Sequence, residues 1–152
     1  MCYAVEERMV RIGELLGALS LATDLGAGMP LETSLRRAAE EIATRFGTDL
    51  TLRMQEGISA APALGDTLRR ITWEAMINAA QHGQARHIVI TLERSAGRIR
   101  LVVEDDGVGF DPTHPSSGFG LISMRERASS HRGELFVRSQ SGVGTRVEVL
   151  LP

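Results

Sequence analysis

Three polar side chains recur at four-residue intervals in the middle of the chain, at Glu74, Asn78 and His82. On a helix this spacing places them along one stripe, next to an apolar stripe that would bury the helix. An Asn oxygen suits Mg²⁺, which prefers hard oxygen ligands and keeps positions for phosphates and water. A Glu one turn away could orient or deprotonate an attacking group. The alternative interpretation is an amphipathic helix whose polar edge only meets water.

An acidic pair followed by two glycines comes directly after an apolar run, at Asp105, Asp106, Gly107 and Gly109. Glycine lets the backbone turn tightly and lets a ligand come close to it. A carboxylate at the base of such a turn can accept a hydrogen bond from an exocyclic amine. This favours adenine, because guanine presents a carbonyl oxygen at that place. An ordinary turn remains the alternative, since Gly and Asp are common turn residues.

Two further glycines, Gly118 and Gly120, precede the predicted helix over residues 121–132. A helix that opens on glycines leaves backbone N–H groups free to face an anion, and the helix dipole adds to that attraction. The hydroxyls of Ser116 and Ser117 are close enough in sequence to help. The sequence contains neither GxxxxGK[ST] nor a complete GxGxxG, which excludes the two commonest phosphate-binding loops. A plain helix start is the alternative.

A fourth glycine pair, Gly142 and Gly144, leads into the last predicted strand at Thr145. If that strand neighbours the strand ending at Asp105, the Thr145 hydroxyl would lie beside the Asp105 carboxylate. Taken alone, the segment is also typical of a hairpin turn.

The composition is that of one globular domain of ordinary size. The 152 residues are 43% hydrophobic and 24% charged, with a formal net charge of −2 and a single cysteine. This charge provides no general attraction to nucleic acid or to an anionic membrane, so neither contact is expected. No apolar run approaches the roughly 20 residues needed to cross a bilayer. We expect a cytoplasmic domain, whatever anchoring the full-length protein has.

The elements that position these residues follow from periodicity and from Gly and Pro punctuation. Helices are predicted at residues 5–21, Leu31–Phe46, 64–82 and 121–132, and strands at 48–54, 87–93, 98–105, 134–139 and 144–152. Because the later strands come in hairpin pairs, the pattern predicts an α+β fold. We expect a two-layer α/β sandwich, with a mixed, mostly antiparallel sheet and helices on one face. A doubly wound parallel fold is disfavoured.

The order of the four motifs resembles that of the GHKL ATPase superfamily. E-x-x-x-N on a helix is followed by D-x-G-x-G after a strand, G-x-G-L opening a helix, and G-x-G-T entering a strand. The resemblance covers residues 64–152. It implies the Bergerat-type sandwich, in which ATP lies between the helices and a mobile lid and Mg²⁺ bridges its phosphates.

Within that superfamily the motifs are most similar to those of sensor histidine kinases. The run GFGLISMRERA is similar to the second glycine motif of the short-lid subclass, whose kinases pair with helix-turn-helix response regulators. This resemblance implies that residues 110–117 are the ATP lid. The resemblance implies that Glu74 is the catalytic acidic residue, that Asn78 holds Mg²⁺ and that Asp105 binds the adenine amine. The nucleotide contacts it implies are Asn78, His82, Asp105, Gly107, Gly109, Ser117, Gly118, Phe119, Gly120, Leu121 and Thr145.

One departure from the kinase pattern concerns the phosphate acceptor. The four histidines, His82, His87, His114 and His131, all fall inside or after the first motif, and the residue near the expected acceptor position is Leu16. We therefore expect residues 1–28 to be a helix and linker remaining from a dimerisation element, able to form a homodimer. Residues 29–152 are then the ATPase domain.

The expected function is transfer of the ATP γ-phosphate to a histidine on a dimerisation element that this sequence lacks, upstream of a response regulator. Two alternatives remain open from the residues. An anti-sigma-factor-type serine kinase would use the same fold, although residues 123–127 disfavour it. A non-catalytic nucleotide-sensing module is the other, and it is disfavoured by Glu74 standing beside Asn78.

Overall fold

The computed structural model of the chain describes residues 29–111, 113 and 119–152, and of Phe119 the backbone only. The predicted N-terminal helix, the linker and most of the predicted lid lie outside these residues. So do two of the predicted nucleotide contacts, Ser117 and Gly118.

Three helices and five strands make up the described part of the chain. The helices are α1 (Leu31–Phe46), α2 (Pro62–Ile77) and α3 (Phe119–Ser130), and the strands are β1 (Asp49–Met54), β2 (His87–Ser95), β3 (Arg98–Asp105), β4 (Glu134–Gln140) and β5 (Gly144–Leu151). Every predicted element in this part is present, with ends that differ by a few residues. None of these helices is both long and apolar enough to cross a membrane.

The five strands form one sheet in the order β1-β2-β3-β5-β4. Strands β1 and β2 are parallel, joined by a crossover through α2, and the other three pairs are antiparallel. The predicted mixed, mostly antiparallel sheet of an α+β fold is thereby confirmed. Because β5 pairs with β3, the two strands are neighbours and Asp105 and Thr145 are direct cross-strand partners.

The core lies between one face of this sheet and the helices. Alternate strand residues point into it, as expected for a sheet that is covered on one side. Fully buried side chains from both layers include Leu35, Ile42, Leu68, Ile71, Met76, Ile88, Ile90, Leu92, Ile99, Leu101, Met124 and Leu151. Each such burial contributes about 1.5–3 kcal/mol, so the core holds the strand ends and helix ends in fixed relative positions.

The opposite face of the sheet carries a ladder of charged side chains. Arg100 lies 2.7 Å from Glu93 and 2.8 Å from Glu148, and Glu148 lies 3.1 Å from Arg146, which also pairs with Glu104. A groove of about 470 Å³ runs over this ladder. The glycine loops are at the ends of the strands rather than in this groove.

Candidate functional site

The glycine loop after β3 is held in place by backbone contacts from two directions. The Val108 N–H donates to the Gly83 carbonyl at 2.8 Å, and the Gly142 N–H donates to the Val108 carbonyl at 2.6 Å. A Cβ on Gly107 would lie 2.6 Å from the Gly83 oxygen, which real Cβ atoms do not tolerate. Gly109 has φ of +62° and would place a Cβ against the Gln140 carbonyl. Both glycines are therefore required by the loop geometry.

The end of helix α2 supplies one of these anchors. After Ile77 the helix widens into a π-helical turn, Asn78–His82, in which the Gly83 N–H donates to the Asn78 carbonyl at 2.7 Å. Such turns occur often at functional sites. Because a π-helical turn has more residues per turn than an α-helix, His82 does not follow Asn78 at the α-helical spacing that separates Asn78 from Glu74. His82 is the last residue of the turn, and its side chain is exposed.

Asp105 is partly buried at the last position of β3. Its Oδ1 accepts a hydrogen bond from the Gly107 N–H at 2.8 Å. Burial raises the pKa of this carboxyl above its ordinary value, N–H groups of Gly107 and Thr145 lower it, and the charge of Asp106 raises it. A carboxylate has about four acceptor sites. The ionised group is therefore poorly solvated and retains capacity for a further N–H donor.

The neighbouring carboxylate, that of Asp106, bonds to the backbone of another strand. Its Oδ1 accepts from the N–H groups of Arg86 and His87, both at 2.9 Å, which ties the end of β3 to the start of β2. The His87 N–H bond contributes most to the lowered pKa of Asp106. Burial, the next largest effect, raises the pKa, and the Arg86 N–H bond lowers it further. This role was missed from the sequence, where two adjacent acids look alike.

Glu74 and Asn78 lie against the first turn of α3. A Cβ on Gly120 would overlap Glu74 Oε1 and lie 3.3 Å from Asn78 Nδ2. Glycine at this position lets the α3 backbone approach the acid and the amide this closely without displacing the Glu74 carboxylate. Leu121, the next residue, is buried in the core and fixes the helix start.

The structure brings the predicted site residues together in two groups joined by the end of α2. Glu74, Asn78 and Gly120 form one group, and Asp105, Gly107, Gly109 and Thr145 form the other. Asn78 and Gly83 connect them, since Gly83 bonds to Asn78 through its N–H and to the glycine loop through its carbonyl.

A serine that the sequence motifs did not include completes the second group. Ser139 Oγ accepts from the Phe110 N–H at 2.9 Å and lies 2.8 Å from Thr145 Oγ1. It also donates to the Gly144 carbonyl at 3.2 Å. The signal that could have identified Ser139 is the β4–β5 register, which pairs Ser139 with Thr145.

The donor set fits a nucleotide with a magnesium ion. Asp105 offers a partly buried acceptor for an amine, and the glycine positions keep the surrounding backbone free of side chains. The Glu74 carboxylate and the Asn78 amide both lie next to Gly120 and each carries a hard oxygen atom. Mg²⁺ at nucleotide sites commonly takes few protein ligands besides phosphates and water. Within residues 29–111, 113 and 119–152, no group of three or more His, Cys, Asp or Glu side chains could hold a metal ion.

A family model described as histidine kinase-, DNA gyrase B- and HSP90-like ATPase matches residues 63–152. The chain belongs to this ATPase family. The match covers nearly the same residues as the resemblance found from the four motifs, and that prediction is confirmed. Membership of this ATPase family supports ATP as the nucleotide.

Curated relatives of this ATPase domain are sensor proteins. The chain is 34% identical over 121 residues to the nitrate/nitrite sensor protein NarX of Escherichia coli (strain K12), covering 78% of this chain and 20% of NarX. It is 32% identical over 126 residues to the sensor histidine kinase LiaS of Bacillus subtilis (strain 168), covering 82% of this chain and 35% of LiaS. The chain therefore spans about a fifth to a third of the length of these relatives.

A solved structure supports the fold assignment of this ATPase domain. The histidine kinase domain of the blue-light activated histidine kinase EL346 from Erythrobacter litoralis matches with a TM-score of 0.77 and 22% sequence identity. The match covers 92% of this chain and 73% of that chain. The likeness shows that the two chains share a fold.

Proposed function

We propose that this chain is the Mg-ATP-binding catalytic domain of a two-component sensor histidine kinase. The observation that carries the proposal is the convergence of an acid–amide pair, Glu74 and Asn78, with the anchored loop that follows Asp105. The names of the relatives, sensor histidine kinases among them, support the kinase reading over other members of the ATPase family.

Contacts at the adenine end and at the phosphate end together orient the nucleotide. The Asp105 carboxylate accepts from the adenine amine, and the burial that raises its pKa makes this additional donor favourable. The phosphates lie toward Asn78 and the start of α3, where free N–H groups and the helix dipole attract anions. Asn78 would hold Mg²⁺, which when bound neutralises the charge that develops during phosphoryl transfer.

The chemical step is transfer to a histidine. An imidazole nitrogen forms a bond to the γ-phosphorus while the bond from that phosphorus to the bridging oxygen breaks, and ADP leaves. Glu74 takes up the imidazole proton, as a general base positioned one helical turn from Asn78. The domain contributes mainly by positioning these groups.

In this proposal the acceptor histidine belongs to a dimerisation element. Residues 1–28 are the end of such an element, and residues 29–152 are the ATPase domain. Such an element would also make a homodimer. A response regulator, of the helix-turn-helix class that accompanies short-lid kinases, receives the phosphate next. The proposed location of the domain is cytoplasmic.

The test mixes the chain with a separately made dimerisation element and γ-labelled ATP, with and without Mg²⁺. Label that appears on the element only with Mg²⁺, and that is lost in acid but kept in alkali, supports histidine phosphorylation. Acid-stable label indicates a serine kinase instead. No label on any element, under conditions where ATP binds, indicates a module that senses nucleotide without transfer.

A further inference from the structure

A row of polar side chains crosses three strands at the end of the sheet nearest the glycine loop. Asp105 on β3 pairs with Thr145 on β5, and Thr145 pairs with Ser139 on β4. Directly paired residues point to the same face of a sheet. The three polar groups therefore lie side by side next to the proposed adenine position.

The hydroxyl of Ser139 has one proton and two acceptor sites. The proton goes to the Gly144 carbonyl, and one acceptor site takes the Phe110 N–H. The remaining contact is the 2.8 Å approach of Thr145 Oγ1, in which either hydroxyl is able to donate. All three contacts of Ser139 are satisfied at once only when the Thr145 hydroxyl donates its single proton to Ser139, and this is the arrangement we adopt.

We propose that Ser139 is a specificity-determining residue that acts through Thr145. By accepting the hydrogen bond from the Thr145 hydroxyl, Ser139 leaves Thr145 with only lone pairs to offer a ligand. Thr145 and the Asp105 carboxylate then form a surface made of acceptors alone, which suits a base bearing an exocyclic amine and repels one bearing a carbonyl oxygen. This inference rests on the proposed nucleotide-binding function.

A purely structural role for Ser139 would have a different consequence. The glycine loop keeps its backbone anchors to Gly83 and Gly142 when the Ser139 hydroxyl is removed. The loop should therefore stay formed, while the Thr145 proton becomes free to point at the ligand. Base preference, rather than general affinity, is the quantity that changes.

The experiment compares the dissociation constants of ATP and inosine triphosphate, which carries a carbonyl oxygen in place of the adenine amine. In Ser139→Ala the freed Thr145 hydroxyl can donate to that oxygen, so the preference for ATP over inosine triphosphate should fall about fivefold, the worth of one hydrogen bond. Ser139→Thr keeps the hydroxyl and should keep the preference. Ser139→Cys fills similar volume with a weaker acceptor and should lower it, which covers a failure of the alanine variant to fold.

An equal loss of affinity for both nucleotides in Ser139→Ala and Ser139→Cys would overturn the inference and leave Ser139 a structural residue. An unchanged preference in those variants would overturn it as well. In both cases the parent chain still binds ATP, so the proposed function stands. Failure of the parent chain to bind ATP would instead remove the proposed function itself.

Discussion

At the scale of single residues, the adjacent acids Asp105 and Asp106 differ in what surrounds them. Asp105 is partly buried, and burial raises its pKa, whereas Asp106 is exposed and its pKa is lowered by backbone N–H groups. A raised pKa means that folding favours the protonated form, so the ionised Asp105 costs stability once the pH rises above its ordinary value near 3.8. Asp106 has the opposite sign, and its contribution to stability is lost as the pH falls through its lowered pKa.

Replacing each acid by its amide should therefore change ATP affinity in one variant and thermal stability in the other. Asp105→Asn removes the acceptor charge for adenine and should weaken ATP binding about 10- to 100-fold, the worth of a hydrogen bond to a charged group, without lowering the melting temperature. Asp106→Asn should lower the melting temperature by about 2–4 °C and leave ATP affinity unchanged. Calorimetric titration and thermal melts of both variants measure this, and the reverse pattern would refute the assignment of the two acids.

Most of the residues that their spacing singled out lie close together in the structure, but the parts played by Ser139 and Asp106 were not predicted. Spacing along the chain identified Glu74, Asn78 and Asp105, because each lies in a short motif with its own chemistry. Ser139 and the bonding of Asp106 depend on strand register and on which backbone N–H groups end up nearby. Such contacts join residues that are distant in sequence, and local spacing does not report them.

At the scale of elements, the start of α3 is fitted against α2 through a single glycine. The methyl group of Gly120→Ala would overlap Glu74 Oε1 and lie 3.3 Å from Asn78 Nδ2, so the Glu74 carboxylate must shift to make room. The end of a Glu side chain moves at little cost, so we expect the melting temperature to change little. Because the shifted carboxylate no longer occupies its place beside Asn78, we expect the variant to lose most of its Mg²⁺-dependent ATP affinity.

Gly65→Ala on α2 is the matched control for this change. Its methyl group would lie 3.4 Å from Arg69 Nη1 and 3.7 Å from Leu31 Cδ1, within ordinary contact distance. Ala is also the better helix former by about 0.8–1 kcal/mol. The control should keep full ATP affinity and equal or higher stability, and equal binding by both variants would show that the α2–α3 contact is not part of the site.

Element boundaries were the least predictable part of the fold. Apolar periodicity located every strand and helix in the described residues, yet α3 begins at Phe119, before the predicted start, and α2 ends in a π-helical turn. The turn is followed by Gly83, whose carbonyl accepts from the Val108 N–H. Tertiary contacts of this kind override local propensity.

At the scale of the whole molecule, the two faces of the sheet have separate roles. The helix-covered face ends at the proposed nucleotide site, and the open face carries the charged ladder. A hydrogen bond from Arg100 contributes most to the lowered pKa of Glu148. Burial, the next largest effect, raises the pKa, and a hydrogen bond from Arg146 lowers it again. A lowered pKa contributes stability above the ordinary Glu value, and that stability is lost as the pH falls through the lower, folded-state value.

Glu148→Gln should therefore lower the free energy of unfolding at pH 7 by about 1 kcal/mol and should have less effect in acid. Its ATP affinity should not change, because the ladder is on the opposite face. Denaturant unfolding at neutral and acidic pH checks this. Glu134→Gln, at a more exposed pair with Arg98, is the control and should change stability less. Equal losses at both pH values for Glu148→Gln would contradict the linkage.

The proposed binding of a magnesium nucleotide depends above all on two side chains, the Asn78 amide at the Mg²⁺ ion and the Asp105 carboxylate at the adenine. Calorimetric titration of ATP into the parent chain and into Asn78→Ala, each with Mg²⁺ and with a chelator, tests it most directly. We expect the parent chain to bind ATP more tightly with Mg²⁺, and Asn78→Ala to bind with the weak, chelator-like affinity under both conditions. Absence of ATP binding by the parent chain, or an undiminished Mg²⁺ effect in Asn78→Ala, would contradict the claim.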